Sequence, residues 1–297
     1  MQLQEKAGLT RLRTSFSLIP LGLAIAAAAA APAAAAAQSA MGQAQPAPGQ
    51  ELVQRALANE LRAAQDENHP MRYVLRKASP RLTTTKNLIE TRDGLVAMLV
   101  AINDQPLNAP QQAREQARLN ALLADPARQR HRKMAEDADT QRALKVLRVL
   151  PAAFVYRYAG PGTGTVVRYT FQRNPNFSPP DLETEVLTAV SGEIWIDSAQ
   201  ARVVRLQGQV QRDVDFGWGI LGRLYKGGWI ILEQADVGGG VWRVVKFQIA
   251  MSARVVIRTR NFLTTENESG FTPVPQALSY RDGIALLREA AAETAKR

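Results

Sequence analysis

Residues 191–260 read SGEIWIDSAQARVVRLQGQVQRDVDFGWGILGRLYKGGWIILEQADVGGGVWRVVKFQIAMSARVVIRTR. Apolar and polar residues alternate through 192–197, 202–212 and 228–236, and β-branched and aromatic side chains dominate. That pattern predicts long, half-buried antiparallel strands. Gly238-Gly239-Gly240 predicts a tight turn between 228–236 and the next run. The run 241–260 is longer than an ordinary strand, so a bend or bulge is expected near 250–253.

Between two of these strands lies Phe216-Gly217-Trp218-Gly219-Ile220-Leu221-Gly222. Large apolar residues alternating with glycine combine adhesive surface with backbone freedom. One reading is a bent connection tucked into the core. The other is an apolar flap at a cavity mouth, with Phe216, Trp218, Ile220 and Leu221 as its contacts. The tryptophans Trp195, Trp218, Trp229 and Trp242 all fall in this half, as cavity wall or as plain sheet core. Arg223 and Lys226 follow the flap and are candidates for a ligand's charged head group or a membrane surface.

Upstream, residues 51–65 place Leu52, Val53, Ala56, Leu57, Leu61 and Ala64 at helical spacing. Pro70 ends that helix. Strand-like runs at 71–78, 81–91 and 95–103 follow, and Arg92-Asp93-Gly94 marks a hairpin between the last two. Asn108 with Pro110, then Asp125-Pro126, are cap-and-proline starts for two helices to about 124 and about 149, the second stopped by Pro151. Residues 108–150 thus form a helical insert. Its run Arg128, Arg130, His131, Arg132, Lys133 reads as a solvated helix face or as a contact for an acidic surface. Strands return at 154–158 and 166–173, residues 184–190 are open between strand and helical turn, and 280–295 closes the chain as a helix. Strands and helices are segregated, which predicts an α+β fold with an antiparallel sheet.

The N-terminus sets the expected compartment. Lys6, Arg11 and Arg13 precede an alanine-rich apolar stretch over 17–37, and Ala35-Ala36-Ala37 before Gln38 fits a small-residue cleavage site. This predicts a signal peptide over 1–37 and a periplasmic or secreted product. A retained anchor is the alternative, since the run approaches the roughly 20 residues that span a bilayer. Residues 38–50 read as a flexible linker ahead of a domain over 51–297. Cleavage would lower the formal charge from +10 to about +8. A basic exported domain is expected to meet anionic lipid or envelope polymer, and not nucleic acid; the plainer reading is solubility alone.

Few arrangements point to catalysis. Two histidines, His69 and His131, and no cysteine cannot build a standard zinc site without several carboxylates, and the lack of cysteine excludes a disulfide frame. There is no G-x-S-x-G elbow. Gly160-Pro161-Gly162-Thr163-Gly164 lacks the lysine of a phosphate loop and reads as a turn. Asp213 and Asp215 lie two apart, with Asp236 further on; such carboxylates serve a hydrolase only if one is desolvated, and beside glycines they ordinarily mark turns. No metal and no cofactor are expected.

The hairpin Gly-Glu-Ile-Trp-Ile-Asp at 192–197 followed by Arg-Val-Val-Arg-Leu at 202–206 resembles the LolA/LolB-like superfamily of periplasmic lipoprotein carriers. The likeness extends over about 51–262. The segments TTTKNLIETRDG and DFGWGILG are also similar to those of a group of secreted bacterial proteins with no assigned activity. The resemblance implies a curved, incomplete β-barrel with helices over its open side and acyl chains held between them. The expectation is a non-enzymatic carrier or sensor for a lipid or acylated protein. The alternatives are a filled-core protein-interaction module and a carboxylate-dependent hydrolase.

Overall fold

The computed structural model describes residues 50–216, 222–255 and 258–295. The expected leader and linker fall outside these residues, except that Gln50 opens the first helix. Trp218, Ile220 and Leu221 of the expected flap also lie outside them.

The chain begins with α1 (Gln50–Ala63) and the meander β1 (Met71–Ala78), β2 (Thr83–Ile89), β3 (Val96–Ile102) and β4 (Gln105–Pro106). Helices α2 (Ala109–Ala124) and α3 (Pro126–Ala153) follow. Then come β5 (Phe154–Pro161), β6 (Val166–Arg173), the short α4 (Leu182–Glu185) and a 3-10 turn (Val186–Ala189). The second meander is β7 (Val190–Asp197), β8 (Arg202–Val210), β9 (Val214–Phe216), β10 (Gly222–Leu224), β11 (Trp229–Asp236), β12 (Trp242–Val255) and β13 (Arg258–Pro273), closed by α5 (Tyr280–Ala295).

The strands form one antiparallel sheet in the order β4-β3-β2-β1-β13-β12-β11-β8-β7-β6-β5, with β9 and β10 extending it beside β12. The ends do not meet, so this is the expected α+β fold with an open, incomplete barrel. Long-range pairing of β1 with β13 joins the two meanders.

Helix starts follow their chemistry. Asn108 and Gln111 form a capping box on α2, and the Asp125 carboxylate accepts from the Arg128 N–H of α3. Pro151 does not stop α3: the helix runs on to Ala153 and passes directly into β5. At 28 residues, α3 is about 42 Å long. Its N-terminal half meets the β2–β3 turn, where Gln129 donates to the Asp93 carbonyl at 2.7 Å. Its C-terminal half buries Leu144, Leu147 and Leu150 in the main core. The helix therefore crosses the open side from one end of the sheet to the other.

The insert also covers an exposed edge. β3 pairs with β4 only at Ala101 and Ile102. Along the rest of its outer edge the Leu95 N–H donates to Glu136 (3.0 Å) and the Leu99 N–H to Glu115 (2.8 Å), while the Ala97 carbonyl accepts from Arg118 (2.6 Å). Helix side chains thus satisfy backbone groups that would otherwise template another strand.

The run 241–260 is not one bent strand but the hairpin β12–β13, with Val255 opposite Arg258. Of the two readings left open for residues 184–190, the helical one holds until Val190.

One glycine is demanded by packing. Gly192 of β7 sits opposite Gly208 of β8 and beside Phe171 of β6. A Cβ at 192 would lie 1.9 Å from the Gln207 carbonyl oxygen and 2.9 Å from the Phe171 ring. Gly192→Ala must displace backbone, and we expect it to cost about 3 kcal/mol, measured as a shift in the urea midpoint.

Candidate functional site

Three cores divide the interior. The largest lies between α1, α3 and the sheet from β5 to β12; smaller ones lie on the two faces of β1–β3. Within the largest is a cavity of about 40 Å³. Leu150 and Phe154 from α3 and β5, Phe171, Leu187 of the 3-10 turn, Val190, Leu206, Gly208, Ile230 and Met251 border it, together with Gln209 and Val210, and its wall is apolar. The sheet face is apolar because strand alternation puts Val190, Ile194 and Ile196 of β7 and Ile230 and Leu232 of β11 on one side. The glycine pair 192/208 leaves room above the sheet for the Phe171 ring.

Among the described residues, none of the aromatics singled out from the sequence lines this cavity. Trp195 alternates with the buried Ile194 and Ile196, on the opposite face; its indole donates to Glu193 (3.1 Å) and the Arg205 guanidinium stacks over its ring at 5.0 Å. Trp229 likewise sits out of phase with the buried Ile230 and Leu232. Trp242, at the start of β12, donates to the Gln200 side chain (2.9 Å) beneath Arg202, 5.6 Å from its ring. Phe216 is 1% exposed and packs in the main core, so this member of the expected flap is anchored.

The carboxylates near the flap are occupied. Asp215 accepts two hydrogen bonds from Arg223 (2.5 and 2.8 Å), and Asp213 lies 3.6 Å from the same guanidinium while accepting from the Lys226 N–H (2.8 Å). The Arg223 hydrogen bonds hold the Asp215 carboxyl below its usual range. A general acid needs the reverse shift. Asp236 accepts from the Gly238 N–H (2.8 Å), a turn role. Among the described residues no group of His, Asp and Glu side chains is arranged to hold a metal ion.

Strongly perturbed groups also lie in the small core of β1, β2 and β13. Glu268 of β13 stands opposite Leu75, 8% exposed. Burial pushes its carboxyl up to about 8, aided by Glu266 and Glu90 and opposed by Arg243. Burial also raises Glu90, which accepts from the Met71 N–H (2.9 Å) with Arg243 3.8 Å away. The Tyr73 ring stacks on Phe271 at 5.2 Å, and its buried hydroxyl has no hydrogen-bond partner among the described residues. Burial, then Glu268 and Glu90, raise that hydroxyl well above its ordinary value. Glu268 lies in the polar stretch TTENESG, where no hydrophobic period signals an inward side chain.

Comparison with protein-family models, with curated proteins and with solved structures found no match.

Proposed function

We propose that the chain is a non-catalytic carrier or sensor for an apolar chain, held between the C-terminal half of α3, the 3-10 turn and the β6–β8, β11 and β12 face of the sheet. The observation that carries this reading is the apolar cavity bordered by Leu150, Phe171, Leu187, Ile230 and Met251, placed where an open sheet is plugged by helices. The expected export of the chain and its resemblance to lipoprotein carriers support the same reading. At about 40 Å³ the cavity is well below the roughly 150 Å³ that admits benzene in an engineered core. On this reading a longer chain enters only if a wall moves. The 3-10 turn is the shortest element of that wall; α4 precedes it, and its cap Asp181 is reached by Lys145 of α3 at 2.6 Å. Each methylene then buried contributes roughly 0.8 kcal/mol, so a chain of moderate length offsets the opening without a charged contact.

The cavity's small size favours a second reading, a packed core that presents its outer surface to a protein partner. Native mass spectrometry with lipid extraction, paired with uptake of a fluorescent fatty acid, separates the two. We expect a stoichiometric apolar ligand, and uptake reduced at least tenfold in Leu187→Trp, which fills the cavity. A clean apo mass with no uptake overturns the carrier reading in favour of the packed module.

A further inference from the structure

We propose that one end of the sheet, built from the free end of β13 and the β1–β2 turn, is a docking surface for anionic lipid membranes. β13 outruns its neighbour: β1 pairs with it only from Ala78 opposite Thr265 onward, so residues 258–264 have β12 on one side and no strand on the other among the described residues. Residues 258–263 are all exposed. They include Arg258, Arg260, Phe262 (37% exposed) and Leu263 (50%). The register that places Ala78 beside Thr265 puts the turn after Ala78 at the same end, and that turn carries Arg81 and Leu82 (47% exposed).

Charge complementarity selects the occupant. The chain has no acidic residue between Asp236 and Glu266. The carboxylates at this end are committed: Glu266 to Lys77 at 2.6 Å and Asp104 to Arg76 at 2.6 Å. Arg81, Arg258 and Arg260 form no ion pair among the described residues. Phe262 and Leu263 point to opposite faces of the strand, so both reach a surface that the free edge approaches edge-on. Guanidinium groups beside exposed aromatic and aliphatic side chains match the boundary between anionic head groups and acyl chains. A soluble polyanion would use the arginines and gain nothing from the apolar pair.

The test is co-sedimentation of the full chain with phosphatidylcholine vesicles, with and without phosphatidylglycerol. All variants share residues 1–49, so any contribution from that stretch cancels in the comparison. Because about 1 kcal/mol accompanies each basic residue near an anionic surface, Arg258→Gln/Arg260→Gln is expected to weaken binding to the anionic vesicles about thirtyfold. Phe262→Ser/Leu263→Ser, with the arginines kept, is expected to weaken it about tenfold. Every substituted side chain is exposed, and unchanged thermal midpoints will confirm that folding is intact. Wild-type protein that ignores phosphatidylglycerol overturns the proposal. So does an arginine variant that binds like wild type, or loss of binding in the arginine variant alone, which would assign the surface to a soluble polyanion. This surface lies outside the apolar cavity, so ligand uptake and vesicle binding fail independently.

Discussion

Glu268→Gln is expected to stabilise the protein at pH 8 by up to about 5 kcal/mol while leaving it unchanged at pH 4. The carboxyl sits in the small core beside Leu75, with burial, Glu266 and Glu90 all disfavouring its ionised form and Arg243 opposing them weakly. In the unfolded chain it ionises near its ordinary value of 4.5, and in the folded chain at about 8. Between those values the folded state holds a proton that the unfolded state has lost, so stability falls as pH rises through this window. Below it both states are protonated, and above it the cost is complete. Glutamine keeps the shape and removes the titration. Urea denaturation at pH 4, 6 and 8 should show a steep decline for the wild-type chain and a shallower one for the variant. Glu90 shifts in the same direction, so a residual slope is expected. Equal slopes would place Glu268 in contact with solvent or with a partner for its charge.

Much of the fold was legible because its punctuation is local. Asn108, Asp125 and the following prolines marked α2 and α3, and Asp93-Gly94 and Gly238-Gly239-Gly240 marked two hairpins that form as expected. The β12–β13 hairpin was not legible: the sequence VVIR at 255–258 has no glycine, proline, asparagine or aspartate, so it reads as an uninterrupted strand. The C-terminal part of β13 was missed for the opposite reason. It pairs with β1, and over residues 265–267 with β12 as well, yet most of its side chains are polar and partly buried or exposed. Facing was harder still. Register shifts where Trp195/Ile196 face Arg205/Val203 and where Glu233/Gln234 face Lys246/Val244 put an extra residue into β8 and into β12, so a period counted along those two strands loses its phase. Trp195, Trp229 and Trp242 were correctly assigned to strands, but Trp195 and Trp229 fall on the face away from the cavity. The cavity's own wall is mostly Leu, Ile, Val and Phe, which in a sequence look like any core.

Glu60 shows how a charge can hide inside an apolar stripe, and its removal should be among the most damaging single changes. Val53, Ala56 and Leu57 are the buried face of α1, and Glu60 continues that face one turn later at 4% exposure. Its carboxylate accepts from Arg202 (2.9 and 3.0 Å), from the Val203 N–H (2.9 Å) and from Gln234 (3.1 Å). The Val203 N–H is available because β8 is irregular there, where its pairing with β7 shifts register. One side chain therefore ties α1 to β8 and β11 and repairs a break in the sheet. Glu60→Ala leaves a largely buried guanidinium, an amide and a backbone N–H without their acceptor, and the expected loss is about 3–5 kcal/mol. The pair itself need not be worth that much, since desolvating both ions opposes their attraction. Comparison with a double variant distinguishes the two quantities. If the loss comes mainly from stranding Arg202, the double change Glu60→Leu with Arg202→Met recovers a good part of the stability that Glu60→Ala loses. If instead the Val203 and Gln234 bonds dominate, the double variant stays as unstable as the single one, and Glu60→Gln, which can still accept at one oxygen, falls between these two and the wild type. Urea midpoints of the four proteins at one pH decide which contact holds the first helix on the sheet.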